Sequence, residues 1–183
     1  MKKFLLLLLI SCTTDYSPKP KGYPYIEMPE ASYTVFSESK NLSFEVSEAA
    51  NVVNMRDSDD VKWFDIEYKK YKASIFCTFF NADSKKILTL ADETKRLAEL
   101  HTAKGGKIEE AEYERVEDNV FGKLYLLGGN TASPVQFALT DNKSRFLRGA
   151  LHFEYAVNRD SIAPVVDYIY QDIRVLMESV KWK

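Results

Sequence analysis

From residue 33 onward, apolar and polar positions alternate in twos, switch to a spacing of three and four, return to twos and end in a second helical stretch. Over 33–46, Tyr33-Thr34-Val35-Phe36 and Leu42-Ser43-Phe44-Glu45-Val46 keep the two-residue period of a half-buried strand, and 51–55 extends that unit. An Asp/Ser-rich turn at 57–60 leads to a second alternating run, 62–68, and then to 73–80, whose β-branched and aromatic content also predicts a strand. These two are expected to pair as a hairpin. Over 88–101 the period changes. Leu90, Thr94, Leu97 and His101 recur at helical spacing opposite Asp92, Glu93, Lys95 and Arg96, with Thr89 as the expected N-cap, Asp92 completing a short capping box and Gly105-Gly106 as the stop.

Four further strands are predicted at 107–115, 119–127, 135–141 and 145–155, each pair separated by turn residues. Asp141-Asn142-Lys143-Ser144 joins the last two as a hairpin. In that hairpin Val135, Phe137, Leu139, Leu147, Leu151 and Phe153 fall on one face, and Gln136, Thr140, Arg148, His152 and Glu154 on the other. A closing helix carries the stripe Ile162, Val165, Val166, Ile169, Ile173, Leu176, Met177 and Val180. Asp167, Gln171, Asp172, Arg174 and Glu178 are expected outside the stripe, Asp160 or Ser161 at its cap and Pro164 in its first turn. The fold class that follows is α+β: an antiparallel sheet sandwich with one internal helix and a C-terminal helix packed on it. The order of elements is similar to that of PsbP/Mog1-like domains.

Composition narrows the function. Hydrophobic types make up 45% of 183 residues and aromatics 13%, enough for one sheet-based core spanning 25–183. Lys and Arg number 25 against 27 Asp and Glu, so no basic footprint for nucleic acid exists. The first residues set the compartment. Met1-Lys2-Lys3 and the apolar run 4–10 form a signal peptide over 1–11, too short for the ~20 residues that span a bilayer. Leu9-Ile10-Ser11-Cys12 resembles a bacterial lipobox, which implies acylation of Cys12 and cleavage before it. Two or three acyl chains on one cysteine hold a protein at a membrane durably. Residues 12–24, with Pro18, Pro20 and Pro24, are expected to form an extended tether that docks near its end through Tyr23, Tyr25 and Ile26. Cys77 then lacks a disulfide partner and is expected as a buried small apolar residue.

Chemistry is sparse. No Gly-x-Ser-x-Gly string supports serine hydrolysis, and Ser133 between Ala132 and Pro134 fits a loop before a strand. Two His and one remaining Cys are scattered without metal-ligand spacing. Glu109-Glu110-Ala111-Glu112-Tyr113-Glu114 reads as a solvated strand face, and Gly128-Gly129-Asn130 lacks the Lys-Ser/Thr of a phosphate loop. A non-enzymatic protein is expected, with no catalytic residue, metal or cofactor. The best candidate surface is the row Gln136, Thr140, Arg148 and His152, which either binds a partner or ligand carboxylate through Arg148 or is tied up by an acidic neighbour. His101 is expected as a core-edge histidine.

Five segments in order carry a resemblance: Asp15-Tyr16-Ser17-Pro18-Lys19-Pro20-Lys21-Gly22-Tyr23; His101-Thr102-Ala103-Lys104; Gly129 to Asp141; Phe146-Leu147-Arg148-Gly149-Ala150-Leu151-His152-Phe153; and Asp160-Ser161-Ile162-Ala163-Pro164-Val165. The chain resembles the gliding-motility lipoprotein GldD family of the Bacteroidetes from the lipobox to Trp182. That likeness implies a lipid-anchored, periplasm-facing envelope protein that supports gliding and the linked type IX secretion apparatus together with other gliding lipoproteins. It implies no catalytic residues. Inner and outer membrane both stay open, since only Asp15 follows the cysteine in the tether. A periplasmic ligand-binding module using the Gln136, Arg148 and His152 face is the alternative.

Overall fold

The computed structural model describes residues 26–38, 41–102, 106–129, 131–154 and 159–183. The expected signal peptide over 1–11, Cys12, the expected tether over 12–24, Tyr25, Gly105, Asn130, Tyr155 and the side chain of Asp160 lie outside the described residues. In chain order the strands and helices are β1 (Tyr33–Glu38), β2 (Leu42–Ser47), β3 (Asn51–Asp57), β4 (Val61–Tyr68), β5 (Ala73–Asn81), α1 (Ser84–Thr102), β6 (Ile108–Arg115), β7 (Val120–Leu127), β8 (Val135–Thr140), β9 (Arg145–Phe153), α2 (Arg159–Ser179) and β10 (Lys181–Trp182). All pairings are antiparallel. A seven-stranded sheet runs β3-β4-β5-β9-β8-β7-β6, and a three-stranded sheet runs β1-β2-β10. The α+β sandwich read from the sequence is therefore the fold.

The expected unit 33–46 with its extension to 55 divides differently. β1 and β2 fold back on each other in the small sheet, while β3 joins the edge of the large one. The 62–68 and 73–80 runs do pair, as β4 and β5, around a 3-10 turn at Lys69–Tyr71 that ends on left-handed Lys72. The four later strand runs form β6 to β9 in consecutive pairs.

One face of the large sheet carries the main core. Phe64, Ile66, Ile75, Phe79, Phe137, Leu147 and Leu151 are buried there against Leu42 and Phe44 of β2 and Val165, Ile169, Ile173, Leu176 and Met177 of α2. Phe36, Phe44 and Phe64 bring their ring centroids within 5.2 to 6.1 Å of one another and join the two sheets. At about 25 cal/mol per Å² of apolar surface removed from water, such rings and aliphatic side chains dominate the stability of the sandwich. Pro164 lies inside α2 rather than in its first turn, because the helix begins at Arg159.

The opposite face is covered by α1, over β6 to β9 only. Its buried Ile87, Leu90, Thr94 and Ala98 follow helical spacing and seat on Ala138 and Phe146 and on Tyr125 and Leu127. The helix starts earlier than 88. Asp83 Oδ1 accepts the Lys86 N–H at 2.7 Å, making Asp83 the cap, whereas Thr89 sits within the helix and donates its hydroxyl to Lys85 O at 3.2 Å. Leu97, expected inside, is on the exposed side. Gly106 N donates to Thr102 O at 3.1 Å where the helix ends.

Candidate partner-binding face

Because α1 seats on β6–β9, the β3-β4-β5 half of the same face carries no helix. Trp63 and Phe76 stand there 43% and 49% exposed. Trp63 opposes Thr78 and Phe76 opposes Asp65, so the two rings are diagonal neighbours across β4 and β5. β3 carries a bulge between Val53 and Arg56, which re-aims its side chains beside Trp63. Two hollows flank Trp63 and share Arg56. One, of about 210 Å³, lies toward the core side of the sheet and is lined also by Leu42, Met55, Phe64 and Phe79, and the other, of about 340 Å³, lies on the open face among Asp65, Phe76 and Thr78. Isolated apolar side chains on a surface are ordinary, but two large rings beside a hollow form a patch of the composition that binding surfaces favour.

The row predicted from the β8–β9 hairpin is split by α1. Gln136 is 4% exposed, under the helix, which corrects the expectation that it belongs to an exposed surface. Sequence alternation put it on the correct face but could not show that a helix covers that half. Thr140 serves the hairpin turn, donating to Arg145 O at 2.8 Å and accepting the Asn142 N–H at 2.9 Å. Arg148 and His152 stand at the margin between α1 and the open half-face, opposite Thr78 and Ser74 of β5. The Arg148 guanidinium lies 5.4 Å over the Phe80 ring and 3.9 Å from Glu93 of α1, yet its buried Nη1 has no hydrogen-bond partner. His152 packs between Phe76, at 5.3 Å, and His101, at 6.2 Å. Burial, and then the neighbouring His101, lowers its pKa below the ordinary histidine value.

Two buried groups complete the electrostatics. Asp172, expected outside the α2 stripe, is buried and accepts the hydroxyls of Tyr33 at 2.9 Å and Tyr68 at 3.0 Å, tying α2 to β1 and β4. Burial raises its pKa, and the hydrogen bonds from Tyr33, Tyr68 and Ser47 oppose that rise. Its place three residues after Ile169 and four before Leu176 was the sequence signal, since those spacings share a helix face. Burial and the Asp172 carboxylate push Tyr33 up to about 12. Cys77 is buried on the core face, and burial, with Asp65, raises its pKa, so the thiol is a packing group and a poor nucleophile. Among the described residues no helix is long and apolar enough to cross a membrane.

The fold and its half-bare sheet define an α+β sandwich domain with one sheet face left open beside α1. The family model described as gliding motility lipoprotein GldD matches residues 13–182, and the chain belongs to that family. Membership makes it a gliding-motility lipoprotein, associated with an envelope membrane, in a family not known for enzymes. Comparison with curated proteins finds no match.

Proposed function

We propose that the chain is a non-enzymatic lipoprotein, held by acyl chains on Cys12 with its domain facing the periplasm, that supports gliding and the linked type IX secretion apparatus by binding other gliding lipoproteins. The observation that carries the reading is the family match over 13–182. The open half-face supplies the contact, with Trp63 and Phe76 as its aromatic anchors. Aromatic side chains around hollows are the residues on which interface energies concentrate.

A second reading rests on Arg148. A buried guanidinium nitrogen without a hydrogen-bond partner suits an incoming carboxylate, which would make the α1 margin a ligand site with His152 beside it. A strain lacking the protein, complemented in turn by wild type, Trp63→Ser/Phe76→Ser and Arg148→Ala, separates the two. Docking on the open face predicts that the double variant accumulates normally but restores neither spreading nor secretion and leaves the levels of neighbouring lipoproteins altered. Failure confined to Arg148→Ala, with a carboxylate ligand found by thermal shift, supports the second reading. Full rescue by both variants overturns both.

A further inference from the structure

The free edge of the large sheet at β6 has a recognisable code. Gly128 N donates to Lys107 O at 2.6 Å. The register that pairs Ile108 with Leu127 and Arg115 with Val120 makes 107–128 one of its hydrogen-bonded pairs. Hydrogen-bonded and non-hydrogen-bonded pairs alternate along an antiparallel ladder. Residues 109, 111, 113 and 115 therefore bond into β7, and Ile108, Glu110, Glu112 and Glu114 turn their N–H and C=O groups away from it. Among the described residues β6 is the last strand on that side. β6 is regular in register over its whole length, whereas the other edge, β3, is broken by its bulge.

The same residues that present the backbone present the charge. Glu110, Glu112 and Glu114 alternate with residues bonded into β7, so they share the side of the sheet that carries α1. Lys123 lies 3.7 Å from Glu110 and 3.3 Å from Glu112, one cation between two carboxylates. Beside them a groove of about 520 Å³ runs under α1, lined by the carboxylates of Glu112, Glu114 and Asp92, by Lys95 and Lys123, and by Phe121, Tyr125 and Phe146, so its acidic groups outnumber its basic ones three to two. A second copy pairing antiparallel along this edge would set Glu against Glu, and like charges directly opposite are unfavourable. A strand bearing cations at alternate positions would instead set each one beside a carboxylate, with long side chains able to reach the groove.

We propose that the β6 edge takes up, as an added strand, an extended segment of another protein that carries Lys or Arg at alternate positions. Backbone pairing supplies the affinity, and the glutamate row and groove select the partner. This edge is distinct from the open β3–β5 face, so failure here leaves the proposed docking on that face intact. The test uses the full chain in detergent micelles and three peptides of about ten residues, a length that covers one strand. One alternates Lys with Val, the second is the same peptide N-methylated on alternate amides, and the third has Glu in place of Lys. The lysine peptide binds by fluorescence anisotropy. The N-methylated form and the Glu110→Gln/Glu112→Gln/Glu114→Gln variant each weaken binding at least about tenfold, and the glutamate peptide does not bind. Equal binding of the methylated peptide would mean attraction by charge without strand addition. Absence of lysine-peptide binding would mean that the glutamates serve only to keep strands off the edge. Either result overturns the proposal.

Discussion

At the turn between β8 and β9, Asp141 Oδ1 accepts the backbone N–H groups of Lys143, Ser144 and Arg145 at 2.9, 2.7 and 2.9 Å, and Oδ2 accepts the Ser144 hydroxyl at 3.1 Å. Burial alone would raise its pKa, but the backbone donors outweigh burial and hold it below its ordinary 3.8. A carboxyl with a depressed folded pKa stabilises the fold above its unfolded value and loses that contribution as pH falls through the folded one. Asp141→Asn is therefore expected to cost about 2 kcal/mol at neutral pH, the worth of hydrogen bonds to a charged acceptor. In urea unfolding, the gap from wild type should close below pH 3.8; a gap of constant size would contradict the assignment. Gly149 is constrained by packing instead. A Cβ there would come within 2.3 Å of the Phe137 ring, which is fully buried on the neighbouring strand. Gly149→Ala should cost about 2 kcal/mol, and its sum with Phe137→Leu should be less than additive, because the smaller side chain vacates the contested space. The Asp141 turn was legible from Asp-Asn-Lys-Ser. Asp172 was legible only through its helical spacing to Ile169 and Leu176, a weak signal, because a polar residue reads as outward until its tyrosine partners, more than 100 positions away, are known.

At the scale of elements, period identified most strands and both helices, while ends and neighbours escaped it. α1 begins earlier than its apolar stripe suggests because Ser84, Lys85 and Lys86 fill its first turn with polar side chains, and only the Asp83 cap marks the start. The two rival caps give opposite expectations. Asp83→Ala should destabilise by about 1 kcal/mol, the usual value of an N-cap, and Thr89→Ala should be neutral or slightly stabilising, since it replaces a poor helix former whose hydroxyl back-bonds to Lys85 O. Thermal unfolding of the two variants decides it, and the reverse ranking would restore the later start. The candidate face follows from the same element. Alternation in β4, β5, β8 and β9 gives each residue its side of the sheet, but exposure depends on where α1 lies. Gln136 is covered and Trp63 and Phe76 are bare for that reason, and nothing in the period of their strands distinguishes them.

Across the whole molecule, the three-stranded sheet is assembled from the two ends of the described chain, which is why no local pattern announced it. β10 pairs Lys181 with Ser43 and Trp182 with Leu42, so the C-terminus adds a strand to β2. The same segment reaches the large sheet. The Trp182 indole N–H donates to Asn119 O at 3.0 Å, its ring lies 6.3 Å from Phe79, and the Arg115 guanidinium donates to the carbonyls of Glu178 and Val180 just before β10. One tryptophan thus bridges the small sheet, the β6–β7 turn and the main core. Trp182→Ala removes the ring contact and the hydrogen bond together, and because the side chain is only partly buried the loss should be about 2 kcal/mol, below the 3–5 of a fully buried aromatic. Phe36, Phe44 and Phe64 still join the sheets in that variant, so unfolding should remain one cooperative transition, coincident by near-ultraviolet and far-ultraviolet circular dichroism. Two separated transitions would show instead that the C-terminal strand, and not the aromatic contact between β2 and β4, couples the small sheet to the rest.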